Sequence, residues 1–212
     1  MTDRYDVSDL REGQFEPGSN ELVLRNKLGI TSVDDMNGAE TAALASATEE
    51  FINLYDAQRR FTADDIRDMH RRWLGNIYDW AGEYRQVNLG KGGFQFASAH
   101  LIPRLMAEFE NGPLRVHTPC KTAKVSAIAA ALAETHVELV LIHPFREGNG
   151  RISRLLCVLM ALQAGLPFLD FSAMAGERKP DYIFAVQKGL ERDYSKMTSI
   201  FIEIIRSTTS QA

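Results

Sequence analysis

Apolar residues in this chain recur mostly three and four positions apart, which is helical spacing. Leu44, Phe51, Ile52 and Tyr55 share one face of a helix predicted over about 38–58. Thr62 opens the next with a Thr-x-x-Asp cap, and Ile66, Met69, Trp73 and Ile77 supply its stripe. Pro103 stands where a further helix starts, with Leu105, Met106 and Phe109 facing inward. The stretch 122–142 is apolar on nearly every side, the pattern of a helix at the centre of a bundle. Ile152, Leu155, Leu156 and Leu159 carry the spacing through 151–165, and helices at about 180–191 and 196–206 complete the chain. Near the start, Ser19 caps a short predicted helix, NELVLRNKL, that ends at Gly29. Residues 1–20, with Gly13, Pro17 and Gly18, read as an extended arm.

One stretch departs from helical spacing. In QVNLGKGGFQF, Val87 and Leu89, then Phe94 and Phe96, alternate with polar residues around a glycine-rich turn. This predicts a small β-hairpin on an otherwise all-α, single-domain protein. No internal repeat or low-complexity segment interrupts it.

Composition narrows the partners. The chain is 45% apolar and 25% charged, with a net charge of −4. No global positive field attracts nucleic acid or an anionic membrane, so neither is expected as a partner and any anion site must be local. Two cysteines, Cys120 and Cys157, are too few for a disulfide framework and lack metal-ligand spacing, which suits a reducing, cytoplasmic setting. The N-terminus has no apolar signal core, and VELVLI is too short to span a bilayer.

The densest chemistry lies in HPFREGNGRISR, residues 143–154, between two predicted helices. Pro144 takes His143 out of helical geometry, and Phe145 anchors the turn. Gly148 and Gly150 let a ligand approach the backbone, the new helix offers free N–H groups to an anion, and Asn149 adds an amide donor. Arg151 and Arg154 are neighbours on one face and suit phosphate oxygens. Glu147 is a carboxylate beside an anion site, a conflict that a Mg²⁺ ion bridging to phosphate resolves. A neutral His143 at the rim can take a proton from a hydroxyl. The reaction class is phosphoryl or nucleotidyl transfer. His136 reads as a hydrogen-bonded core residue, His70 as packed or surface, and His100 and His117 as surface.

These twelve residues match the Fic motif, HPFx[D/E]GNGRxxR, at every specified position. MHRRWLGNIYDWAGEYR (69–85), LGKGGFQFASAHLI (89–102) and YIFAVQKGLERDYSKM (182–197) resemble other parts of the same family. The resemblance covers about residues 20–206, leaving an arm over 1–19 and a tail over 207–212. It implies a Fic-type helical bundle with a β-hairpin flap beside the active site. The implied activity is transfer of AMP from ATP to a Tyr, Thr or Ser hydroxyl of a target protein. On that basis His143 is the base and Glu147 holds Mg²⁺. Gly148, Asn149, Gly150, Arg151 and Arg154 hold phosphates, with Lys91 and Gly93 at the flap tip near the nucleotide. Tyr182 and Gln187 line the adenine pocket, and Gly92, Phe94, Gln95 and Phe96 form the target-docking flap.

The resemblance also raises the question of inhibition. Residues 8–13, SDLREG, fit the letters of the family's inhibitory [S/T]xxxE[G/N] helix, in which the glutamate competes for the arginine at the position of Arg154. The surroundings of Glu12 read as an arm, so a separate small antitoxin partner is the expectation, with this chain as the toxin. Other readings are a member that moves UMP, phosphocholine or the γ-phosphate, a de-AMPylating member, and a silent adaptor. The intact GNGR argues against γ-transfer, and the unbroken motif argues against silence.

Overall fold

A computed structural model of the chain describes residues 10–174 and 176–210. Eight α-helices and one two-stranded hairpin organise them. Helix α1, Val33–Leu54, starts earlier than the spacing predicts because Ser32 accepts the Asp35 N–H and Asp34 and Asp35 favour the first turn. Its face differs in one position from the expectation: Phe51 is fully buried but Ile52 is exposed. Helix α2, Ala63–Leu74, carries the predicted cap in full, with Thr62 and Asp65 each bonded to the other's backbone. Ile66, Met69 and Trp73 are buried on it, and Ile77 is buried just past its end.

Strands β1, Gly90–Lys91, and β2, Phe94–Gln95, form the predicted hairpin, with Gly90 opposite Gln95 and Lys91 opposite Phe94. Gly92 and Gly93 both have positive φ, as a two-residue type I′ turn demands. A bond from Phe96 N–H to the Leu89 carbonyl at 3.1 Å extends the ladder. Helix α3, Ile102–Phe109, has Pro103 in its first turn. A π-helical turn, Glu110–Leu114, and a single turn α4, Arg115–His117, lead on to α5, Val125–Ile142.

Helix α5 is the predicted central helix, packed against α6 (Asn149–Gln163) and α8 (Ser195–Thr209). By length and composition α5 could cross a membrane, which the shorter VELVLI run did not suggest, but most of it is buried within the bundle. Helix α7, Lys179–Lys188, lies on α8 and continues as a 3-10 turn to Glu191.

The helix expected at NELVLRNKL does not form. Asn20 and Glu21 are left-handed, and Phe15 and Leu24 make a β-bridge instead. The Asn26 side chain organises the loop, accepting from the Leu28 and Ile30 N–H groups at 3.1 and 3.0 Å. It also donates to the carbonyls of Leu24 and Ile30. An Asn that satisfies four local backbone groups outcompetes a short helix.

Candidate active site

The sequence motif joins α5 to α6, and the turn is built around His143. This residue ends α5 at φ 52° and ψ 58°, a left-handed conformation that costs a residue with a β-carbon about 1–2 kcal/mol. The Arg85 side chain holds it there, its Nε donating to the His143 carbonyl at 2.7 Å. The imidazole Nδ1 lies 3.0 Å from the Val140 carbonyl, which can only accept. Nδ1 therefore carries the proton and Nε2 keeps its lone pair. Burial pushes the His143 pKa down to about 4, helped by Arg85 and Lys91 and opposed by the Val140 bond and Glu147. At neutral pH the ring is an uncharged acceptor.

The hairpin covers this ring. Phe96, expected among the target-docking residues, stacks on His143 with ring centroids 3.6 Å apart and planes 14° from parallel. Phe94 meets Phe96 edge-on at 5.3 Å. Gln95 lies across Gly90, and Lys91, Gly92 and Gly93 are exposed at the tip.

Beyond His143, Gly148 caps α6 and accepts the N–H groups of Arg151 and Ile152 at 3.0 and 2.9 Å. The N–H groups of Asn149 and Gly150 belong to the first turn, which has no carbonyl of its own helix to reach. The Asn149 side chain is not the free donor that the sequence suggested. It is buried, with Nδ2 donating to the Phe145 carbonyl at 2.7 Å and Oδ1 accepting the Phe145 N–H at 2.8 Å. Its amide fastens the turn.

The two arginines also part company. Arg151 pairs with the buried Glu40 of α1 at 2.6 Å and reaches Glu147 at 3.4 Å, lying over the Trp73 ring. Glu40 is fixed in turn by the Tyr78 hydroxyl at 2.7 Å. Arg154, by contrast, makes no ion pair or side-chain hydrogen bond among the described residues. Its Nη1 lies 3.7 Å from where a β-carbon on Gly150 would stand. A half-buried guanidinium at the start of a helix, without an acid to neutralise it, is an open seat for an anion.

Glu147 offers one half-exposed carboxylate there, its Oε1 taken by the Gly148 N–H at 2.8 Å and by Arg151. No cluster of three or more His, Cys, Asp or Glu side chains able to hold a metal occurs among the described residues. A single carboxylate beside an anion seat nevertheless fits Mg²⁺, which takes one or two carboxylates and completes its shell with phosphate and water.

The Tyr182 hydroxyl is 3.1 Å from His136 Nε2, within electrostatic reach of Arg154. His136 is fully buried and bonded through Nδ1 to Ser153 at 2.8 Å, the core role that the sequence suggested. Gln187 is exposed on α7, and no bond ties it to the motif among the described residues.

His70 proves more than packed. Its Nδ1 accepts the Gly82 N–H at 2.8 Å, so Nε2 donates to the Glu147 carbonyl at 3.1 Å. Phe145 stacks on the ring at 3.8 Å. Of the outlying histidines, His100 is exposed, whereas His117 is half-buried and contacts Glu134 at 2.7 Å.

Burial pushes both His70 and His136 down to about 3 from the ordinary 6.5. The unfolded chain therefore protonates first. The stability these rings contribute is present above pH 6.5 and is lost as pH falls toward 3. At pH 5 each ring should cost about 2 kcal/mol relative to pH 7.5. Urea midpoints measured at the two pH values test this, and an unchanged midpoint would count against it.

The Fic/DOC family model matches residues 60–161. The probable protein adenylyltransferase y4lH of Sinorhizobium fredii is 31% identical over 166 residues, spanning 76% of this chain and 81% of the relative. The probable protein adenylyltransferase Fic of Salmonella typhimurium is 29% identical over 97% of this chain and 96% of its own. Among solved structures, the N-terminal Fic domain of a Bartonella sp. AR 15-3 effector protein superposes with a TM-score of 0.74 at 21% identity, covering 93% of each chain. BepC of Bartonella tribocorum, solved with bound AMPPNP, gives 0.71 at 20% identity, over 92% of this chain and 96% of its own. This chain belongs to the Fic/DOC family.

Proposed function

We propose that this chain is a Fic-type protein adenylyltransferase that transfers AMP from ATP to a Tyr, Thr or Ser hydroxyl of a target protein. The observation that carries the reading is one turn holding both a neutral histidine and an anion seat with an unpaired arginine. A triphosphate suits that seat, with the α6 N-terminus and Arg154 taking its charge. Mg²⁺ at Glu147 supplies further charge neutralisation on the phosphates when bound. The target oxygen attacks the α-phosphorus, its proton passes to His143 Nε2, and pyrophosphate leaves.

Arg151 enters this scheme through Glu40, which holds its guanidinium beside the seat. We assign restraint of the activity to a separate antitoxin, with this chain the toxin. Glu12, the residue that could restrain the site from within, has its carboxylate occupied elsewhere: Oε1 accepts the N–H groups of Gln86 and Val87. Ser8 and Asp9, which begin the motif-like stretch, lie outside the described residues.

The test is incubation with bacterial lysate and ATP labelled at either the α- or the γ-phosphate. Label should pass to protein from the α position alone. Transfer from the γ position only would replace this reading with phosphoryl transfer.

A further inference from the structure

Arg85 is a buried cation with no carboxylate bonded to it among the described residues. It is 1% exposed, and backbone carbonyls surround its guanidinium. Nε donates to His143 at 2.7 Å, Nη1 to Val87 at 2.6 Å, and Nη2 to Ala97 at 2.6 Å and Ile142 at 3.4 Å. Its own N–H donates to the Pro144 carbonyl at 2.9 Å. Three of these carbonyls, those of Ile142, His143 and Pro144, belong to the end of α5 and the turn carrying the base, and two, those of Val87 and Ala97, to the segments entering and leaving the hairpin. One rigid fork thus joins two places that share no sequence neighbourhood.

Glu12 closes the arrangement from outside. Its Oε1 accepts from Gln86 and Val87 at 2.6 and 2.9 Å, and its carbonyl accepts from Arg146 Nε, within the motif, at 2.8 Å. Glu12 therefore also touches both the hairpin stem and the motif turn. Burial lowers the Arg85 pKa to about 10, with Glu12 acting against the fall.

We propose that Arg85 and Glu12 form a latch that couples the hairpin stem to the His143 turn, making both of them positioning residues for the base. The buried guanidinium holds the strained His143 backbone only while Val87 and Ala97 stay in place. A hairpin disturbed at its stem therefore disturbs the base, and a hairpin ordered by a docked protein steadies it.

Hydrogen exchange on the whole chain tests the coupling directly. Glu12→Ala removes bonds only at Gln86 and Val87, yet exchange should quicken about tenfold there and about threefold or more across 142–146, with α8 unchanged. Arg85→Lys should loosen the same two regions together. Loosening of the stem alone, or uniform loosening of the whole chain, overturns the latch, as does no change. The activity arm rests on the proposed AMP transfer. There, both variants should lower labelling of lysate proteins from α-labelled ATP by about tenfold, with AMPPNP binding within about twofold. Increased labelling by Glu12→Ala would instead make Glu12 an inhibitory residue, and a parallel loss of AMPPNP binding would make the role merely structural. If the unaltered chain labels nothing, the functional proposal fails while the exchange result still decides the latch.

Discussion

Replacing His143 with alanine should cut AMP transfer by about 10²–10⁴-fold, the range for loss of a general base, and leave AMPPNP binding nearly unchanged. In the proposed mechanism the ring contributes only its Nε2 lone pair, whereas the anion seat is built from the α6 N-terminus and Arg154. The fold should tolerate the change, because Arg85 grips the residue through its backbone carbonyl rather than its side chain. The same geometry sets a pH dependence. Since the base works uncharged and its pKa is held down to about 4, the rate should stay flat from pH 8 to about 5 and fall in more acid solution. An acid limb near 6.5 would mean that the Phe96 stack opens when substrate binds. Equal losses of nucleotide binding and turnover in the alanine variant would remove His143 from the role of base.

The motif was legible because its chemistry is local. Twelve consecutive residues carry the proposed base, the carboxylate proposed for the metal, the cap glycine and the first-turn N–H groups, and the helices on either side announce themselves by spacing. The supporting residues carry no such signal. Nothing in the spacing around Arg85 marks it as buried, because its carbonyl partners at 142 and 143 lie far along the chain. Glu40 sits among polar and alanine positions of α1, and only the fold brings Arg151, Tyr78 and the Trp73 indole onto it. Asn149 shows the opposite error. The sequence offers its amide as a donor to a ligand, but an amide can serve ligand or backbone equally well, and here the Phe145 backbone claims it. The lost helix at NELVLRNKL has the same cause on a smaller scale, since Asn26 offered a set of local bonds that apolar spacing does not reveal.

The two motif glycines, equivalent in sequence, should respond in opposite ways to alanine. Gly148 has φ +81°, and a β-carbon there would lie 2.6 and 2.8 Å from two atoms of the Trp73 ring. That ring is buried and pinned by its Nε1 bond to the Glu40 carbonyl at 2.9 Å, so it cannot yield cheaply. Backbone strain and overpacking together should cost about 2–4 kcal/mol, a fall in melting temperature that calorimetry would read directly. Gly150 carries no such constraint. Its φ is not positive, it lies inside the first turn of α6, and the nearest atom to an added β-carbon is Arg154 Nη1 at 3.7 Å. Gly150→Ala should therefore leave stability unchanged or raise it by about 0.5–1 kcal/mol, as alanine does in a helix. The same methyl would stand 3.7 Å from Arg154 Nη1, beside the seat where the phosphates are proposed to bind. AMPPNP affinity should fall in the Gly150 variant while its melting temperature does not. If the stable variant bound AMPPNP as tightly as the unaltered chain, the seat between Gly150 and Arg154 would not be the phosphate site.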